Sequence, residues 1–210
     1  MNLSNVPQKR PRRYLRSRIT RRLILDTALE VFLSEGYSKT TIAKISEQAG
    51  VGYGTVYSHF KGKDDILNKV IDGVLEEFYT FLDIEFTPSN FAEARQIFYE
   101  LMMTCFRLSH QHRPIMKVFE EALGQSESIA AYWQEVKDHF VANATRSIQH
   151  AQELGLAKTF DPQIGAKAYI LLIDRFIWEV VNGNENDLEH LSSVLTDMVF
   201  QGFFNPPKQN

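Results

Sequence analysis

The chain has 210 residues, 44% of them apolar and 12% aromatic, enough for a packed core in one domain or two small ones. No stretch approaches the roughly eighteen uninterrupted apolar residues of a membrane helix, and the basic N-terminus lacks the apolar run of a signal peptide. The net charge is −3, and a single cysteine, Cys105, excludes an internal disulfide and fits a reducing cytoplasm.

That charge is unevenly laid out. Residues 1–69 hold 13 Lys and Arg against 6 Asp and Glu, and the remainder holds 10 against 20. Eight cations, Lys9, Arg10, Arg12, Arg13, Arg16, Arg18, Arg21 and Arg22, precede the first acid, Asp26. Such a block reads as a polyanion-binding head on a body that binds none, or as a solvated tail. Residues 1–18 are read as a basic arm that Pro7 and Pro11 keep extended. Its arginines suit a narrow minor groove or, more simply, phosphates of any sequence.

The rest of the chain is helical by periodicity. "TRRLILDTALEVFLSEGY" repeats Ile24, Ala28 and Val31/Phe32 on one face and stops at Gly36. A second helix takes its cap from Thr40–Thr41 and ends at Gly50, and a short third one runs from about Tyr53 to His59 with Val56 and Phe60 inward. Gly50, Gly52 and Gly54 do not form a dinucleotide fingerprint: Tyr57 stands where its third glycine belongs, and a helix, not a strand, precedes them. Asp64 and Asp65 open a long helix whose periodic residues include Leu67, Val70, Val74 and Phe78.

"EFTPSN" breaks the chain, and Asn90 caps a helix from about Phe91 to Gln111. Pro114 restarts it and Gly124 ends that short piece. The next helix carries Ile129, Trp133, Val136, Phe140 and Ala144 on one stripe. Asp161–Pro162 is a cap followed by proline at the first helical position, opening a helix to Val181 that is apolar nearly all round and therefore covered on both sides. A last helix, Leu188 to Phe204, aligns Leu191, Leu195, Met198 and Val199.

Two short helices joined by a tight glycine turn make a helix-turn-helix, here about residues 41–60. "ILDTALEVFLSEGY", "TTIAKISEQAGVGYGTVYSHF" and "KDDIL", from Thr20 to Leu67, resemble the DNA-binding domain of the TetR family of bacterial transcriptional regulators. Gly52 and Gly62 depart from it, since the family often places Ser at the first and Ser or Asn at the second, and each loses a side-chain cap. The fold expected is all-α: an arm at 1–18, a DNA-binding domain at 19–66, a helical ligand-sensing and dimerisation domain at 67–204, and a tail at 205–210.

DNA contact is expected from Gly52, Gly54 and Thr55, where the backbone comes close, and from Tyr53, which reaches toward base edges. Tyr57, His59 and Lys63 suit phosphate, as do Arg12, Arg13 and Arg16 of the arm. Tyr57 is alternatively a core residue against Val31 and Phe60, and His59 alternatively structural; Thr40 and Thr41 are caps first and phosphate ligands second. The resemblance implies that the last two helices pair with those of a second copy, through Leu171, Leu172, Arg175, Trp178, Leu191, Leu195 and Met198, and that the middle helices bind a small-molecule effector. Phe78, Phe81, Phe98, Met102, Phe106, Trp133 and Phe140 are the candidate lining of its pocket, though for any one of them an ordinary core role is the simpler reading.

His110 and His112 are two apart and make a poor metal pair, and Cys105 lies in an apolar stretch that favours inert burial. No G-x-S-x-G, H-E-x-x-H or C-x-x-C occurs. The expectation is therefore no enzyme, no cofactor, no metal and no membrane, but double-stranded operator DNA as partner of a cytoplasmic homodimeric repressor. The competing reading is a helical protein-interaction adaptor whose basic arm binds membrane or RNA.

Overall fold

The computed structural model describes residues 10–82 and 86–203, with side chains for 14–79 and 86–203. Among these residues every regular element is a helix: α1 (Arg10–Lys39), α2 (Ile42–Gln48), α3 (Tyr53–His59), α4 (Lys63–Leu82), α5 (Phe91–Gln111), α6 (Arg113–Leu123), α7 (Glu127–Glu153), α8 (Pro162–Asn182) and α9 (Leu188–Phe203). The chain divides into two units between Val70 and Ile71, inside α4, a continuous helix with no linker to mark the boundary.

Residues 10–18 are not extended but form the first turns of α1. Pro11 sits where a missing N–H costs no internal bond. Pro7 and the rest of 1–9 lie outside the described residues, as does the tail at 205–210. Gly36 adopts φ 76°, a left-handed value that only glycine takes without strain, and breaks the helical run within α1.

The first unit packs Ile24, Ala28, Val31 and Phe32 of α1 against Ile42 and Ile45 of α2, Val56, Phe60, and Ile66 and Leu67 of α4. Thr41 caps α2 by accepting from the Lys44 N–H. At its other end Gly50 has φ 63°, and the Gly50 and Val51 N–H groups bond to the carbonyls of Glu47 and Ser46, a Schellman closure. Ser46 Oγ donates to the Val51 carbonyl at 2.7 Å, so the turn is bolted from both sides.

A second fastening joins the end of α1 to the start of α4. Lys63 Nζ donates to the carbonyls of Tyr37 (3.0 Å) and Thr40 (3.4 Å) and lies 4.0 Å from the centre of the Tyr37 ring. Tyr37 Oη in turn donates to Asp64 Oδ1 at 2.7 Å. The buried stripe of α4 is Ile66/Leu67, Ile71 and Leu75, while Val70 and Val74 are half-buried.

In the second unit each helix start has a side-chain acceptor where the sequence placed one: Asn90 for α5 and Asp161 for α8, with Ser126 doing the same for α7. The core is built by Met102 and Phe106 of α5, Tyr169 and Ile173 of α8, and Leu195 and Phe200 of α9. Leu191 and Leu195 thus belong to the chain's own interior, Leu195 being 2% exposed, and do not face outward as expected for a subunit interface. The face of α9 that is open holds Val194 and Met198. Periodicity alone does not say which of two apolar stripes on a helix is the inner one.

Gly165, buried in the first turns of α8, leaves room for the Phe160 ring; a Cβ there would run into it. Gly165→Ala should therefore cost about 1–3 kcal/mol, the range for overpacking, read as a lowered midpoint in urea unfolding. Lys63→Met should lower stability by about 1–3 kcal/mol through the carbonyls it leaves unbonded, which differential scanning calorimetry on DNA-free protein will register.

Candidate nucleic-acid interface and ligand cavity

α3 turns a polar, glycine-bearing face outward because its apolar residues are spent inward: Val56 is fully buried and Phe60, just past its end, nearly so. On the outer face Gly52, Tyr53, Gly54, Tyr57 and Ser58 are exposed, with Thr55 and His59 half-buried. Tyr57 is 48% exposed and so is not a core residue. Its ring stands 5.1 Å from that of Tyr53, one helical turn away, and their hydroxyls are 3.4 Å apart. The bond from the Tyr53 hydroxyl, followed by desolvation, raises the Tyr57 phenol above its ordinary pKa, so Tyr57 keeps its proton.

Gly54 has no conformational reason to be glycine. It lies within α3 at ordinary helical φ, and a Cβ on it would meet nothing within 4 Å. Glycine inside a helix is less favourable than alanine by about 1 kcal/mol, and nothing inside the unit repays that. The bare backbone instead leaves the outer face free for close approach by another molecule.

Around this face Thr41 is exposed, and its hydroxyl, which caps by accepting, keeps its proton to donate. Arg16 is exposed. Arg12 and Arg13 lie in α1 but their side chains are outside the described residues. Two expected phosphate ligands are otherwise employed. Thr40 is fully buried and donates to the Gly36 carbonyl at 2.7 Å. Lys63 holds the carbonyls of Tyr37 and Thr40, and the acids Asp64 and Asp65 already occupy the mouth of α4. Their roles are structural because a helix break at Gly36 leaves carbonyls that need donors. Sequence reasoning passed over Ser58 and Lys61, both exposed; their signal was position, one on α3 and the other just beyond its end.

The second unit encloses a cavity of about 670 Å³ lined from α4, α5, α7, α8 and α9. Of the expected lining residues it gathers Phe78, Phe98, Met102, Trp133 and Phe140. Phe106 is absent from the wall, being fully buried in the core, and the Phe81 side chain lies outside the described residues. Phe78 meets Phe140 edge to face at 5.3 Å, and Phe98 meets Tyr169 at 5.1 Å. Cys105 is on the wall too; burial, then the charge of Asp174, pushes its thiol far above the ordinary value and leaves it a poor nucleophile.

The wall also carries polar groups that the apolar stripes did not announce. Lys137 Nζ is 3.8 Å from Asp174 Oδ2, and Trp133 Nε1 donates to Asp174 Oδ1 at 3.0 Å. Lys137 is four residues after Trp133 and three before Phe140, so a charge on a cavity-facing stripe was there to be read. Among the described residues no cluster of three His, Cys, Asp or Glu has metal-binding spacing, and no helix is long and apolar enough to cross a membrane.

Comparison with known proteins matches residues 24–70 to the model described as "Bacterial regulatory proteins, tetR family". The chain is 30% identical to the HTH-type transcriptional regulator SrpR of Pseudomonas putida over 84% of this chain and 82% of that protein. It is 36% identical to the uncharacterized HTH-type transcriptional regulator TtgW of the same species over 50% of this chain and 72% of that one. Among solved structures, SmeT, the repressor of the Stenotrophomonas maltophilia multidrug efflux pump SmeDEF, superposes with a TM-score of 0.70 at 23% identity, covering 89% of this chain and 91% of SmeT.

Proposed function

Since this chain belongs to the TetR family of bacterial transcriptional regulators, we propose that it acts in the cytoplasm as a homodimeric repressor, bound to a palindromic operator and released by a small, largely apolar molecule. The observation that carries DNA binding is the outer face of α3: exposed tyrosine hydroxyls around a glycine that the interior does not require. A recognition helix of this kind enters the major groove, where Tyr53 and Thr55 meet base edges. Tyr57, Thr41, His59 and the α1 cations meet phosphates, which set register without reading sequence. Lys63 acts indirectly, by holding α4 and the end of α1 in place for that face.

Dimerisation is supported by what α8 and α9 leave open. Ile164 and Leu171, seven residues apart along α8, are exposed, Leu171 by 68%, with the half-buried Trp178 seven further on, and Val194 and Met198 (56%) are exposed on α9. A monomer gains nothing from large aliphatic side chains in water, and a second copy would bury them in an isologous pairing. Arg175, engaged with Glu179 on the same helix, would lie at the edge. The cavity volume falls within the range of small-molecule sites, and SmeT has been solved in complex with triclosan. The adaptor reading has no comparable support: its basic arm is largely helix α1, continuous with the DNA-binding unit.

Selection from random duplexes should yield inverted repeats with half-site centres about one helical turn (~34–36 Å) apart. Tyr53→Ala should relax preference at one or two positions, worth roughly 1–3 kcal/mol of discrimination, whereas Tyr57→Phe should weaken all sites alike; a direct-repeat motif would refute the two-fold model. In analytical ultracentrifugation, Leu171→Glu and Met198→Glu should give folded monomers with weakened operator binding. Leu195→Glu should instead unfold the second unit, because that side chain has no exposed face to move to.

A further inference from the structure

The charged groups around the cavity are of two kinds. Glu100 and Arg146 are exposed and have their own partners, Gln96 and Asn143 respectively, while His150 is paired with Glu153. Lys137 and Asp174 stand apart from these: their side chains are only 25% and 18% exposed, and they sit on facing walls of α7 and α8.

Their hydrogen bonding is incomplete. Asp174 Oδ1 accepts from Trp133 Nε1, which fixes the carboxylate, but Oδ2 meets Lys137 only at 3.8 Å, beyond hydrogen-bond length. The ammonium, with three N–H donors, reaches no protein acceptor among the described residues at that length. One donor and one acceptor therefore stand 3.8 Å apart on the wall of a cavity that Phe78 and Phe140 also line.

Building on the effector-site reading of this cavity, we infer that it selects a neutral hydroxylated aromatic molecule, a phenol, whose hydroxyl bridges Lys137 and Asp174. An oxygen about 2.8 Å from both atoms fits above a 3.8 Å base, accepting from Nζ and donating to Oδ2. A carboxylate placed on Lys137 would lie against the charge of Asp174, and an ammonium placed on Asp174 would lie against Lys137. An ether accepts but has nothing to give Oδ2. Of these four groups only the hydroxyl completes both partners, and its ring would join the edge-to-face set of Phe78 and Phe140.

The test is calorimetric titration of the full-length protein, without DNA, with four para-substituted biphenyls: 4-hydroxybiphenyl, 4-methoxybiphenyl, biphenyl-4-carboxylate and biphenyl-4-ylmethylammonium. The phenol should bind tightest, about ten-fold better than the ether, as for one hydrogen bond to charged partners. In Lys137→Met and Asp174→Asn, each verified as folded by circular dichroism, that preference should shrink to about two-fold or less, while ether binding stays within a few-fold of wild type. Ala144→Phe, which fills the cavity, should abolish binding of all four. Tightest binding by the carboxylate or the ammonium, or a phenol preference that survives both polar variants, overturns the inference. Binding of the four alike, lost in Ala144→Phe, leaves the effector site standing and removes only its selectivity; binding of none, or binding that persists in Ala144→Phe, removes both.

Discussion

The DNA-binding unit depends on a clasp between two helix ends. Residues 40–62 leave α1 and return at α4 within reach of one lysine, which holds two carbonyls of the departing chain and stacks on Tyr37. Tyr37 completes the loop through Asp64. α2 and α3 are therefore a closed excursion: each is seven residues long, too short to persist alone, and each is held by its neighbours. Within the excursion the Ser46–Val51 and Gly50 bonds set the angle between the two helices. Placement of Tyr53 and Tyr57 is thus decided by bonds that none of the outward-facing side chains make.

The second unit uses side-chain polarity sparingly and across long separations. α7 carries two adjacent residues with opposite duties: Tyr132 Oη donates to Asp72 of α4 at 2.6 Å, and Trp133 Nε1 donates to Asp174 of α8. Burial, then the bond to Asp72, holds the Tyr132 phenol above its ordinary pKa, so this donor keeps its proton at neutral pH. α7 is thus bonded by neighbouring side chains to α4 and to α8.

Most of the helices were legible in the sequence, because their punctuation is chemical: Thr41, Asn90 and Asp161 cap, Gly50 turns, and Pro162 opens. The outward face of α3 was legible as well, since its inward residues, Val56 and Phe60, were identifiable by spacing. What could not be read were competitions between partners. Lys63 offers the same ammonium to a phosphate or to a carbonyl, and only the break at Gly36 brings the carbonyls within reach. Leu195 and Met198 lie on one apolar helix, and only the packing of α5 and α8 decides that the first is interior. The arm defeated its prolines because Pro11 falls in a first turn, where it does no harm.

The chain has two tryptophans, and they stand together, Trp133 and Trp178 in an edge-to-face pair 5.8 Å apart. Trp133 belongs to the cavity wall, and Trp178, half-buried, continues along α8 the seven-residue spacing of the exposed Ile164 and Leu171. All indole light emission from the protein therefore arises at one spot, bounded by the cavity on one flank and the outer helix face on the other. A molecule that quenches by entering the cavity and a subunit that alters polarity outside α8 would each write on the same spectrum, from opposite sides of a single pair of rings.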